Sequence, residues 1–225
     1  MTATEISRLL AQEYGARRWD LPQDPLSELI LTILSQNTSG QNTRRAFSSL
    51  TRRFDSWEAL AEASVEDIAQ AIEVGGLAQI KAARIKAILE VVGRERGGLD
   101  LSFLGKLPLP EAKAWLRRLP GVGPKTTACV LLFSFGQPVL PVDTHVHRVS
   151  RRLGLISDHA TPEQAQAQLE QQLPPEEFEK FHLNMVEHGQ RICQARRPRC
   201  EICVLRQGCP HRINPALESD AKGGI

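Results

Sequence analysis

Four cysteines close to the C-terminus, Cys193, Cys200, Cys203 and Cys209, follow the spacing Cys-x6-Cys-x2-Cys-x5-Cys. Four thiolates inside one short segment can wrap a single compact centre, and so soft a donor set selects zinc or an iron–sulfur cluster. Zinc sites usually show two close pairs separated by a longer span, whereas here only Cys200 and Cys203 form such a pair. Cys209-Pro210 also matches the Cys-Pro ending of some iron–sulfur runs. The pattern therefore favours a [4Fe–4S] cluster. The fifth cysteine, Cys129, lies in an apolar run and reads as core. Between the first two ligands stands Gln194-Ala195-Arg196-Arg197-Pro198-Arg199. A ligand at each end would pin this loop and project Arg196, Arg197 and Arg199, whose guanidinium forks suit phosphates.

A second candidate centre is Leu119-Pro120-Gly121-Val122-Gly123-Pro124-Lys125-Thr126, followed by an apolar run to Phe135. Gly121 and Gly123 allow a tight turn and close backbone approach. A turn that feeds a helix N-terminus offers unpaired N–H groups and the positive end of the helix dipole to a phosphate oxygen. That predicts a hairpin which binds a nucleic-acid backbone; an ordinary corner between two helices fits the same residues. A dinucleotide site does not, because a third glycine at the required spacing and a preceding strand are both missing. A P-loop fails as well, since Pro124 separates Gly123 from Lys125. Downstream, Val142-Asp143-Thr144-His145 opens another helix with Asp143 as its N-cap. A chain that leaves Lys125 along a helix and returns through Gly136-Gln137-Pro138 can bring Asp143 back towards that amine. His145 and His147 read as packing or surface residues.

The elements that must carry these residues are helical. Strand signals are nearly absent, while caps recur, at Asp24-Pro25, at Ser64 with Asp67, and at Thr161-Pro162-Glu163-Gln164, so the reading is an all-α chain of about ten helices. Ser35 to Thr43 is a run of small and amide residues that cannot form core and reads as a solvated loop with a capping role or as a hydrogen-bonding surface. Gly75-Gly76-Leu77 then leads into a helix bearing Lys81, Arg84 and Lys86. Leu77 could be an apolar wedge beside phosphate-binding cations, as in DNA-bending proteins, or simply core.

Length and composition set the outer bounds. The chain has 225 residues, 41% hydrophobic and 24% charged, which excludes disorder over most of its length and allows one large or two small domains. Its net charge of +2 proves nothing about nucleic acid; the arginine clusters at 44–45, 52–53, 117–118, 148 with 151–152, and 191–199 do more. Neither a secretory signal nor a membrane-spanning run is expected, which makes the cytoplasm, and the nucleoid when bound to DNA, the expected location.

Taken together, LPGVGPKT, then VDTHVHRV, then the four-cysteine spacing resemble the endonuclease III family of helix-hairpin-helix DNA glycosylases, from about Asp24 to Arg212. The resemblance implies a six-helix domain at residues 20–138 that contains the hairpin. It implies a second domain, built from 1–19 and 139–213, that holds the [4Fe–4S] cluster through Cys193, Cys200, Cys203 and Cys209. A tail at 214–225 carries no packing pattern and is expected to be mobile.

Residue by residue, the resemblance makes Lys125 the nucleophilic lysine and Asp143 the essential carboxylate. Gln36 becomes the residue that fills the gap left by an extruded nucleotide, Leu77 the wedge on the opposite strand, and Gly121 with Gly123 the hairpin turn. It implies a bifunctional glycosylase and AP lyase that acts as a monomer on double-stranded DNA with oxidised pyrimidines or abasic sites, without membrane association. Four positions depart from the family pattern: Ser39 replaces a common Asp, Ala78 a common aromatic, Pro124 a usual Arg and His147 a usual Phe. A DNA-binding cluster protein with little catalysis is the rival expectation.

Overall fold

The computed structural model describes residues 1–19 and 24–213. Its helices in chain order are α1 (Ala3–Tyr14), α2 (Pro25–Ser35), α3 (Gly40–Arg53), α4 (Trp57–Glu62), α5 (Val65–Ala71), α6 (Ala78–Arg96), α7 (Leu109–Arg117), α8 (Pro124–Phe135), α9 (Thr144–Arg152), α10 (Pro162–Glu170), α11 (Phe178–Arg191) and α12 (Pro210–Ile213). Short 3-10 turns link several of them, and no strand occurs among the described residues. The fold is all-α. No described helix is long and apolar enough to cross a membrane. The expected tail at 214–225, and the expected domain boundary at residue 20, lie outside the described residues.

The chain divides into two compact units, one spanning residues 21–137 and the other combining 1–20 with 138–225. In the first, α2 and α8 form the centre. Leu26, Leu29, Ile30, Ile33 and Leu34 of α2 are fully buried, as are Ala128, Val130 and Leu131 of α8. A helix apolar on all faces has to be wrapped by others. Asp24 caps α2 by accepting the Ser27 amide at 2.8 Å, with Pro25 at the first helical position where no N–H is needed. Ser56 and Ser64 cap α4 and α5 in the same way.

The stretch 35–43 is more helical than its residue types suggest. Only residues 36–39 lie outside helices, because Ser39 accepts the Asn42 amide and starts α3 at Gly40. Small polar residues look like loop because they favour caps, and here one of them does cap.

In the second unit, α1 and α9 pack on α11. Ile6 and Leu10 of α1 are fully buried, and the Ser7 hydroxyl donates to Glu177 at 2.6 Å. Helices α9 and α11 approach closely at Gly189, where an added Cβ would stand 2.9 Å from the His145 Cβ. Thr161 and Gln164 close a full capping box at the start of α10.

Candidate active site

The hairpin is α7, a turn at 118–123, and α8. Leu119 and Val122 are buried, and two backbone bonds, Leu119 N–H to Leu116 O and Val122 N–H to Leu119 O, both 3.1 Å, tighten the turn. Only Gly121 needs its glycine freedom, with φ at +73°. Gly123 is extended and serves as the N-cap of α8. Pro124 then takes the first helical position and Lys125 the second, half-buried on the first turn of α8. The departure at Pro124 thus falls where proline is most compatible with a helix.

Gln36 follows α2 directly and reaches the hairpin. Its amide nitrogen donates to the Gly121 carbonyl at 3.1 Å, and its carbonyl accepts from the Arg84 guanidinium at 2.8 Å. Within the first unit, therefore, the residues expected to fill the gap and to form the turn are in direct contact. Leu77, 51% exposed, is the N-cap of α6 and adopts the left-handed conformation with φ at 51°. Ala78, which follows it, is half-buried.

The lysines beside Leu77 are not the outward phosphate ligands their charges suggest. Lys81 is 1% exposed and donates to Leu34 O at 2.8 Å, Thr38 Oγ1 at 2.6 Å and Gly75 O at 2.9 Å. Burial lowers its pKa from the ordinary lysine value. Lys86 donates to the carbonyls of Ala61 and Ala63 at the end of α4. An ammonium near a carbonyl-rich helix end finds better partners inside than outside, and charge alone does not reveal this. What the sequence does carry is the interval Leu77, Lys81, Arg84, which puts the three on one face of α6.

In the second unit, Asp143 caps α9 by accepting the Val146 amide at 2.7 Å through Oδ1. His147, half-buried, places Nε2 2.8 Å from the Ala160 carbonyl. Arg148 and Arg152 of α9 hold the cysteine segment. Arg148 donates to the carbonyls of Gly189 and Cys193 at 2.8 and 3.1 Å. Arg152 donates to those of Gln194 and Ala195 at 2.7 and 3.2 Å and to Cys193 Sγ at 3.4 Å. Beyond these anchors Arg196, Arg197 and Arg199 are exposed, with Arg197 left-handed at φ 55°.

Cys193, Cys200, Cys203 and Cys209 are all free thiols lining one cavity with Val149, Leu153, Ile192 and Leu205. Burial raises the Cys203 thiol to about 11 and raises Cys200 in the same direction. A cationic metal would offset that burial by stabilising the Cys200 and Cys203 thiolates, so the donor set suits a bound metal centre. Among the described residues, no three His, Cys, Asp or Glu side chains gather as they would around a single ion. Four thiols lining one cavity are a donor set that a multinuclear cluster would use. Behind it, His188 Nε2 lies 3.5 Å from Cys203 Sγ and Nδ1 lies 2.9 Å from the Tyr14 hydroxyl. Burial lowers the His188 pKa to about 4, and burial, with the nearby Glu13 charge, raises that of Tyr14 to about 12.

Residues 30–175 match the model of the HhH-GPD superfamily of base excision DNA repair proteins, and residues 193–209 match the iron–sulfur binding domain of endonuclease III. Endonuclease III of Thermotoga maritima is 38% identical over 186 residues, covering 83% of each chain. The chain belongs to the endonuclease III family. It is a base-excision DNA glycosylase and AP lyase with a [4Fe–4S] domain at its C-terminal end. A solved endonuclease III–DNA complex, non-covalent, superposes with a TM-score of 0.82 at 26% identity over 96% of this chain and 98% of that one. A trapped covalent endonuclease III–DNA intermediate gives the same TM-score and identity over 96% and 99%. Both of these solved relatives are complexes with DNA.

Proposed function

We propose that the chain, acting as a monomer, excises oxidised pyrimidines from duplex DNA through a Schiff base on Lys125 and then nicks the abasic strand by β-elimination. The observation that carries this reading is the junction of hairpin and loop: Lys125 enters α8 four residues after Gly121, and Gly121 is bonded to Gln36. A trapped covalent endonuclease III–DNA complex of the same fold is consistent with an amine nucleophile.

A damaged base inside a duplex is out of reach until its nucleotide is extruded, which costs a few kcal/mol. Gln36 takes up the vacated stack and Leu77 presses on the opposite strand, offsetting that cost. Backbone N–H groups around Gly121 and Gly123, with Arg196, Arg197 and Arg199, hold phosphates. The uncharged Lys125 amine attacks C1′ as the bond to the base breaks, and the base leaves with a proton. Loss of a proton from nitrogen and opening of the sugar give the imine. Removal of a C2′ proton then expels the 3′ phosphate. Asp143 supplies the negative charge that meets the positive charge developing on deoxyribose. The cluster would be held by Cys193, Cys200, Cys203 and Cys209. When bound, it would supply cross-links that fix the arginine loop.

Borohydride reduction on duplexes carrying thymine glycol or an abasic site tests the proposal, because only an imine yields a permanent adduct. Wild type should trap, and Lys125→Gln should bind without trapping. Binding by wild type without an adduct would leave a DNA-binding cluster protein and end the enzymatic reading of Lys125.

A further inference from the structure

The start of α6 holds a fully buried cation, Lys81. Removing an ammonium from water is unfavourable unless its donors are satisfied, and an apolar core needs only a leucine or methionine in such a place. Lys81 is fully satisfied, and its three acceptors come from two separate segments. Leu34 O and Thr38 Oγ1 lie two residues before and two residues after Gln36. Gly75 O lies two residues before Leu77. The Thr38 hydroxyl, while accepting from Lys81, also donates to Gly75 O, so the segments are joined twice. The Lys81 backbone N–H adds a bond to Leu77 O at 3.0 Å.

Leu77 itself is strained. A branched residue at φ 51° is uncommon and persists only where its surroundings fix it. It is half-exposed, so packing does not supply that restraint. The restraint comes from the turn beneath it, whose Gly75 carbonyl is held by the ammonium and whose Leu77 carbonyl is held by the Lys81 amide. One helical turn further on, Arg84 grips the Gln36 side chain.

We propose that Lys81 is a positioning residue for nucleotide extrusion: its ammonium ties the Gln36 loop and the Leu77 turn into one rigid fork, so that both enter the duplex together. The inference rests on the reading that Gln36 and Leu77 occupy the stack. Lys81 is buried away from DNA, so its effect passes through those two residues and not through phosphate contact.

The test compares wild type, Lys81→Met and Lys81→Arg by two readouts. The first is the fluorescence of 2-aminopurine placed beside an uncleavable abasic analogue in duplex DNA, which rises when neighbouring bases unstack. The second is borohydride trapping on a single-stranded abasic oligonucleotide, which needs no insertion into a stack. Lys81→Met should retain single-strand trapping within about twofold while losing most of the fluorescence rise and at least tenfold of its preference for abasic over undamaged duplex. Lys81→Arg, which keeps the charge and the donors, should recover part of both. A folded Lys81→Met protein with full fluorescence response and preference overturns the proposal. Should Lys81→Met fail to fold, Thr38→Val decides: a two- to fivefold loss in the fluorescence arm is expected, and no change is fatal. Failure of wild type to trap sinks the Lys125 reading alone, because the fluorescence arm still reports on the fork.

Discussion

Substituting Gly121 by alanine sets a numerical test of the hairpin. Two costs arise. An L-residue held at φ +73° is penalised by about 1–2 kcal/mol. The new Cβ would also stand 2.8 Å from Arg84 Cδ and 3.0 Å from Nε, so the arginine must swing aside. That swing gives up the 2.8 Å bond to Gln36, worth about 1 kcal/mol for a partly exposed charged donor. The sum is about 2–3 kcal/mol, and with a urea m-value of about 1–3 kcal/mol/M the midpoint should fall by roughly 1 M or more. Urea unfolding followed by circular dichroism measures it. The decisive form is a double-mutant cycle with Arg84→Ala, since without the long side chain only the backbone penalty survives. A coupling of about 1 kcal/mol is expected. Equal losses in both backgrounds would refute the role given to Arg84, and a total below about 0.5 kcal/mol would refute the conformational argument at Gly121 as well.

Other outcomes follow from the same geometry. Asp143→Asn keeps the cap on Val146, because asparagine caps as well as aspartate, so its unfolding midpoint should stay near wild type while its single-turnover excision rate falls at least a hundredfold. Asp143→Ala should show the same rate loss plus about 1 kcal/mol of destabilisation. The chain has one tyrosine, so tyrosinate absorbance at 295 nm reports Tyr14 alone. A free phenol with pKa about 10 is mostly ionised at about pH 10.5, and Tyr14 should remain protonated there. Since its folded pKa is raised to about 12, the stability it contributes is fully present below about pH 10 and is lost as pH climbs towards 12; ionisation at the free value would contradict the burial argument. Purified protein should be brown and carry about four irons per chain, and stoichiometric zinc without iron would overturn the cluster assignment.

The helical class, the principal caps and the cysteine segment were legible because each rests on local chemistry: a capping oxygen, a proline at a first turn, four thiols at short spacing. Cap positions at Asp24, Ser64, Asp143 and Thr161 all stand where their residue types put them. What could not be read was direction. Lys81 and Lys86 announce positive charge next to the expected wedge Leu77, yet both point inward to backbone carbonyls. Arg152 likewise looks like part of a surface cluster but is buried behind Cys193. Residue type states what a group can bond, and only tertiary structure states which acceptor is nearest. In the stretch 35–43 the capping role was legible and Ser39 fills it, but the extent of the loop was not, since cap formers and loop formers are the same small polar residues.

The four departures from the family pattern share a feature that bears on what they alter. Ser39 still caps α3, because serine accepts an amide hydrogen bond about as well as aspartate. Pro124 and Ala78 sit at first helical positions, where neither an N–H nor a large side chain is required by the helix. His147 reaches the Ala160 carbonyl, a bond no phenylalanine could make. Each residue is therefore accommodated by its local backbone while the side chain it offers differs from the family pattern. Against the family pattern, the change at Ser39 removes a negative charge beside the Gln36 loop, and at Ala78 it removes bulk beside Leu77. Under the proposed insertion of Gln36 and Leu77 into the duplex, phosphate repulsion next to Gln36 would be reduced and stacking next to Leu77 given up. The consequence is selective: Ala78→Tyr should strengthen binding to an abasic duplex more than to undamaged DNA, since an aromatic ring there gains a base to stack on only when the helix is opened. Fluorescence anisotropy on the two duplexes measures the ratio, and equal gains on both would show that position 78 contributes general contact and not insertion.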